Sequence, residues 1–201
     1  MSQSTFPIER VKQALADCGL DPSLVRDLPA DTSTAEAAAR AVNAPLGSIV
    51  KSLVFLADGA PLLVLVAGDQ RADVHRLRAA LGLSKKRLRI AQPAEVLDRT
   101  GFEVGGVPPI GHDRRESRPE GHAGPTEIPA RGLAAVPEHQ RSGRSVSGAD
   151  RAAVRTLIDR TLSRFDTVWA AAGSSNAVFP IAYNQLVAVT NGKVIDLIEE
   201  F

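Results

Sequence analysis

Residues 49–67, IVKSLVFLADGAPLLVLVA, decide the fold. Two β-branched apolar runs, 49–56 and 61–67, are separated by Asp58-Gly59, a dipeptide suited to the positive φ angles of a tight hairpin turn. The spacing predicts two adjacent strands. Lys51 interrupts the first run, and a charge inside an apolar strand either lies at a sheet edge or faces a pocket that needs it.

Helices flank this hairpin. Upstream, Thr32-Ser33-Thr34 offers capping hydroxyls to the alanine-rich run 35–40, which Asn43-Ala44-Pro45 closes. Further upstream, Ile8, Val11, Leu15 and Cys18 repeat at helical spacing until Gly19. Downstream, Asp73 opens a helix that Gly82 stops, and Pro93 opens another that runs to Thr100. Between them, residues 85–89 (KKRLR) form a basic run, a pattern typical of a solvated face, with contact to RNA the alternative. Residues 101–111 (GFEVGGVPPIG) then alternate the most permissive and most restricted residues, which fixes a loop whose backbone can approach another group closely.

From 113 to 154 the periodicity collapses into Pro, Gly, Ser and Arg, and a flexible, dispensable insertion is expected there. Structure resumes at 156–159 with a short helix to Phe165. Strands follow at 167–170 and 178–181, a helix at 184–189 and a last strand at 193–196. The predicted fold is a single α/β domain over residues 1–201, with a mixed, barrel-like sheet of six or seven strands flanked by helices.

Composition narrows the function classes. With 44% apolar and 23% charged residues in 201, the chain can bury its own core. Cys18 is the sole cysteine, so no internal disulfide or CxxC pair can form, and a reducing, cytoplasmic setting is expected. The N-terminal stretch carries charge where a signal peptide is apolar, and no run approaches the roughly 18 apolar residues of a membrane span. Lys plus Arg number 24 against 23 Asp plus Glu, so any nucleic-acid contact must be local. Aromatics at 4% argue against rows of stacking rings. The four histidines lack the spacing of a helical metal site, and no metal or cofactor is expected.

Motifs for nucleotide binding (GxGxxG, GxxxxGK[ST]) and for a serine nucleophile (GxSxG) are absent. What remains is Lys51, the Gly/Pro loop, and the small-residue turn at Gly173, Ser174 and Ser175. Glycine-rich turns expose backbone N–H groups that can hold a phosphate, a carbonyl or a developing oxyanion.

Four segments in order, IVKSLVF (49–55), TGFEVGGVPPIGH (100–112), TLIDR (156–160) and FDTVWAAAGSSNAVFPIAYNQLVAVTNGKVIDL (165–197), resemble the YbaK/EbsC family of aminoacyl-tRNA deacylases, relatives of the editing domain of bacterial prolyl-tRNA synthetase. The resemblance runs from about Thr34 to Asp196 apart from the insertion, which family members usually lack. It implies a cytoplasmic hydrolase that cleaves, in trans, the carboxylic ester of a mischarged aminoacyl-tRNA, a tRNA for proline carrying a small non-cognate amino acid. The implied partners are the acceptor end of that tRNA and prolyl-tRNA synthetase, with no membrane and no metal.

By the same resemblance Lys51 holds a phosphate or the aminoacyl end. Gly105, Gly106 and Pro109 belong to the GxxxP loop that receives the substrate carbonyl, with Val107, Pro108 and Gly111 lining the substrate. Gly173 and Ser174 line the pocket's other side, and a bulky side chain at Gly106 or Gly173 is expected to close it. His112 is expected to be a surface residue and Asp159 a local helix cap. A non-catalytic module binding a tRNA end or a translation partner is the alternative, and a hydrolase of small esters or thioesters a third reading. The branch specific for cysteine carries an early tyrosine and a late acidic residue. Here the region around Leu28 has no tyrosine and the late position is Val178, so cysteine specificity is not supported.

Overall fold

The structure, a computed structural model, describes residues 5–29, 32, 34–112 and 154–198. The expected insertion at 113–154 therefore lies outside the described residues but for Val154. The hairpin forms as its sequence dictates: β2 (Val50–Ala57) pairs antiparallel with β3 (Ala60–Ala67), and Asp58 and Gly59 turn between them at φ 53° and 79°. β1 (Arg26–Asp27) precedes them, and β4 (Leu88–Ile90), β5 (Arg155–Asp159), β6 (Thr167–Ala171), β7 (Ala177–Ala182) and β8 (Lys193–Ile195) follow.

Five strands form one mixed sheet in the order β4-β2-β3-β5-β8, in which β3, β5 and β8 run parallel. The other three form an antiparallel sheet, β1-β7-β6. The two sheets touch through a bridge between Ile49 and Trp169 and do not close into a barrel. The mixed α/β architecture is the expected one. Among the described residues the strands number eight against the six or seven expected, because β1 and β4 are two- and three-residue strands formed only against a longer partner.

β3 explains why the domain holds together. Leu63, Leu65 and Ala67 point into the main core between the sheets, whereas Leu62, Val64 and Val66 point into a second core beneath α3 (Val74–Leu81). All six are at most 1% exposed, the signature of a strand covered on both faces. α1 (Thr5–Asp17) closes the main core with Val11 and Leu15. α2 (Ala35–Val42) starts where the Thr34 hydroxyl accepts from the Ala37 N–H at 3.1 Å and ends at left-handed Asn43. α4 (Pro93–Thr100) and α5 (Tyr183–Thr190) complete the helices.

Candidate functional site

The site opens where the two sheets diverge. Ile49 and Trp169 bridge β2 and β6 in parallel, so Lys51 on β2 and Ala171 on β6 both lie two residues beyond the same bridge. From there β2 continues with β3 and, from Phe55, with β4, while β6 continues with β7. The seam between them leads to the turn at Gly173. β2 is interior to the sheet only from Phe55, where β4 joins it; at Lys51 it pairs with β3 on one side and faces the seam on the other.

The Lys51 ammonium donates to the Gln70 carbonyl just past β3. Partial burial lowers its pKa below the ordinary lysine value; the nearby Glu36 and Asp69 carboxylates oppose that shift and Arg71 adds to it. An ammonium stripped of part of its water gains most from a new anionic partner. Next to it, Ser52 is a residue that sequence reasoning passed over. It falls on the opposite face of the pleat, with Val50 and Val54 of the main core, and its hydroxyl is buried with no hydrogen-bond partner among the described residues. A buried hydroxyl in that state costs about 1–3 kcal/mol. The only legible signal was a hydroxyl inside an apolar strand beside a lysine.

The loop and the turn predicted to share a site do meet. Gly173 donates its N–H to the Gly106 carbonyl at 3.1 Å. A Cβ on Gly106 would stand 2.7 Å from the Ser174 Cα, and one on Gly105 would stand 3.5 Å from the Ser175 Cβ. Gly173, at φ +98°, would meet the Pro7 carbonyl oxygen at 2.7 Å. The expectation that side chains at Gly106 and Gly173 would fill an open pocket gives way to a different reason for these glycines. Backbone already occupies the space, and a side chain would push loop, turn and α1 apart.

Within the loop, Gly106, Val107, Pro108 and Pro109 are buried and Gly105 is exposed. Val107 and Ile110 belong to the main core. Pro108 and Pro109 have no N–H, and the Gly106 N–H is given to the Glu103 carbonyl at 3.0 Å. The other amides of the 105–109 stretch are those of Gly105, held at φ +90°, and Val107. Gly111, at φ +79°, lies against α1, where a Cβ would come within 3.2 Å of the Ala14 Cβ. The Ser174 hydroxyl bonds Asn176 Oδ1 at 2.8 Å, and the Asn176 backbone carbonyl accepts from the Leu28 N–H at 2.6 Å, so this serine shapes the turn.

His112 is half-buried rather than a surface residue. Its ring meets Phe102 edge-on, with centroids 6.1 Å apart, and its Nε2 lies 2.7 Å from the Pro108 carbonyl. Burial pushes its pKa down to about 4; the Pro108 bond opposes this and the Arg10 charge adds to it. Asp159 is the cap that its sequence suggested. Fully buried, it accepts from the N–H and hydroxyl of Thr161 and from the Leu197 N–H at 2.8 Å. The basic run lies far from the seam. Leu88 pairs with Ala57, at the opposite end of β2 from Lys51, a strand distance of roughly 20 Å. Arg87 is tied to Asp58 and Arg89 to Glu95.

An open groove of about 540 Å³ runs between α2 and the corner at Pro45 and Leu46, with Glu36 and Arg40 in its wall. Glu36 links it electrostatically to Lys51. Among the described residues, no group of three or more His, Cys, Asp or Glu side chains converges as a metal site would require. No helix among them is long and apolar enough to cross a membrane.

The sequence profile of the aminoacyl-tRNA editing domain matches residues 29–120, which carry Lys51 and the 105–109 loop. A crystal structure of a candidate trans-editing enzyme for prolyl tRNA synthetase superposes with a TM-score of 0.73 at 33% identity, covering 100% of this chain and 99% of that one. YwhH of Bacillus subtilis (strain 168), described as uncharacterized, is 28% identical over 179 residues, 88% of each chain. The proline–tRNA ligase of Thermosipho africanus (strain TCF52B) is 36% identical over 81 residues, 40% of this chain but 14% of the ligase. That likeness is to one segment of a much longer enzyme. With fold and sequence similar from end to end, and the profile covering the strand lysine and the glycine loop, the chain belongs to the aminoacyl-tRNA editing domain family.

Proposed function

We propose that this protein hydrolyses, in trans, the ester joining a small non-cognate amino acid to the 3′ end of a tRNA, with tRNA for proline the foremost substrate. The observation that carries the reading is the backbone contact between Gly106 and Gly173, which joins the glycine loop to the turn beyond β6, in a chain of an editing family whose profile also covers Lys51. The likeness to a segment of proline–tRNA ligase supports the choice of tRNA and prolyl-tRNA synthetase as a functional neighbour. Its setting in this reading is the cytoplasm, where aminoacyl-tRNA is made and used.

The chemistry follows from what these groups can do. The Lys51 ammonium holds a phosphate or the aminoacyl end. The Gly105 and Val107 amides receive the ester carbonyl and favour the negative charge that grows on its oxygen during attack. The attacking oxygen comes from water or from a hydroxyl of the substrate, so no covalent enzyme intermediate forms. In the hydrolytic route, water bonds to the carbonyl carbon, the bond to the ribose oxygen breaks, and that oxygen takes up a proton, leaving free amino acid and tRNA. Such an ester is already activated, so positioning and a few kcal/mol of electrostatic stabilisation, worth about 10²–10³ in rate, are sufficient.

The test is amino-acid release from tRNAs for proline charged with Pro, Ala, Cys, Ser or Thr. Selective release of one non-proline amino acid is expected. Binding of every tRNA with release from none would favour a binding module instead. Equal turnover of small free esters without RNA would indicate a small-molecule hydrolase. A pocket separates neighbours differing by one methylene by only about 1–3 kcal/mol, so the panel and not the fold names the amino acid.

A further inference from the structure

Phe102 stands at the entrance to the 105–109 loop and is gripped from two sides. The Arg10 guanidinium of α1 lies 3.9 Å over its ring and donates to the Gly101 carbonyl at 2.8 Å. His112, just beyond the loop, packs edge-on against the same ring. The Phe102 N–H is held at 3.1 Å by the Thr100 hydroxyl, which itself donates to Val96 in α4. Both ends of the loop are thereby joined through one aromatic ring that is 1% exposed.

α1 reaches the site at two further points. Its Pro7 carbonyl abuts Gly173, and its Ala14 abuts Gly111. One helix face therefore touches the turn, the start of the loop through Arg10, and the loop's end. The bond from His112 to Pro108 adds a restraint inside the loop. A carbonyl can only accept, so His112 Nε2 carries the proton and donates it at 2.7 Å. Pro108 has no N–H, so this carbonyl is its whole backbone hydrogen-bonding capacity.

We propose that His112 is a positioning residue: together with Arg10 on α1 it clamps Phe102 and fixes the Pro108 carbonyl, which sets the orientation of the Gly105 and Val107 amides toward the ester carbonyl. The inference rests on the deacylase reading for its catalytic consequence, but the clamp itself is a property of the folded chain. His112 touches no reacting atom. Its effect is expected on the rate of the chemical step and not on capture of tRNA, because its contacts are to the Phe102 ring and the loop backbone.

Two substitutions separate the donor from the packing. His112→Leu keeps apolar volume against Phe102 and donates nothing, whereas His112→Gln restores an N–H donor. With the full chain and the aminoacyl-tRNA it deacylates fastest, His112→Leu is expected to lower kcat about fivefold, the worth of one hydrogen bond, with KM nearly unchanged. His112→Gln should recover most of that loss. Wild-type kcat in His112→Leu, or a His112→Gln variant as slow as His112→Leu, would overturn the proposal. If His112→Leu does not fold, His112→Ala takes its place in the same comparison.

Amide hydrogen exchange supplies a readout independent of activity. His112→Leu is expected to speed exchange at Gly106, Val107 and Gly173 while the β3 amides stay protected, and His112→Gln to restore the slow rate. Unchanged exchange at those three amides in His112→Leu would refute the clamp. A wild-type protein that releases no amino acid from any tRNA would refute the deacylase reading, and the exchange data would still decide the clamp.

Discussion

Gly173 donates its N–H to the carbonyl of Gly106, and the backbones at that contact are so close that a Cβ on Gly106 would stand 2.7 Å from the Ser174 Cα. The loop after α4 and the turn after β6 are thereby fused into one rigid corner, although a long stretch of chain separates them. The corner is braced by Pro7 of α1 on the Gly173 side. In the proposed reaction such a corner would hold the Gly105 and Val107 amides in place, since dipoles already in position need no reorganisation as negative charge develops.

Gly106→Ala should therefore damage stability and activity together. Backbone, not a flexible side chain, blocks the new methyl group, so overpacking of about 1–3 kcal/mol is expected. Urea unfolding reads the first effect and amino-acid release the second. A variant as stable and as active as wild type would show that the corner can open without cost.

Acid should weaken the fold through His112. Its folded pKa, about 4, lies below the ordinary value of 6.5, so between those limits the unfolded chain binds a proton that the folded chain refuses. The contribution is fully present above pH 6.5 and is lost as pH falls toward 4, with a loss on the order of 2 kcal/mol by pH 5. Urea unfolding at pH 7.5 and 5 should show a larger loss for wild type than for His112→Gln. Equal losses would mean that the imidazole titrates as freely folded as unfolded.

Asp159→Ala is expected to destabilise without touching the seam. Removal of the carboxylate leaves the Leu197 and Thr161 amides without their acceptor, Leu197 in a fully buried position, at a cost of about 2–4 kcal/mol. Asp159→Asn, which retains one acceptor oxygen, should lose less. Thermal unfolding distinguishes the two, and equal melting temperatures would contradict the capping role.

The basic run gives a prediction of the opposite kind. The run's own pairing leaves Arg87 and Arg89 tied to carboxylates, and the far end of β2 separates it from the seam. Replacing both Lys85 and Lys86 by Ala should leave the single-turnover rate of amino-acid release within about twofold of wild type, because no group near the ester is altered. A tenfold fall in that rate would put the run in the site.

The hairpin was legible because two apolar runs and an Asp-Gly turn each point to the same local structure. Helix starts at Thr34 and Asp73 and stops at Asn43 and Gly82 were legible for the same reason, since caps are local. β1 and β4 were not, because strands of two and three residues exist only through their partners β7 and β2. In the site, the glycine density of the loop and turn marked close approach, and Lys51 stood out as the sole charge in its strand. What they approach was hidden. Pro7 against Gly173 and Arg10 over Phe102 join residues far apart in the chain, and the burial of His112 depends on both Phe102 and the Pro108 carbonyl. The Ser52 hydroxyl, without a partner among the described residues, likewise emerges only once its face of the pleat is known.

The most direct test of the central claim compares wild type with Lys51→Ala in amino-acid release from the panel of charged tRNAs for proline, with the fold of the variant checked by thermal unfolding. Wild type is expected to release one non-proline amino acid selectively, and Lys51→Ala to remain folded while losing at least about tenfold in rate, the worth of a charge-assisted contact. Release at the wild-type rate by folded Lys51→Ala would remove the lysine from the mechanism, and absence of release by wild type from every tRNA in the panel would contradict the proposed activity.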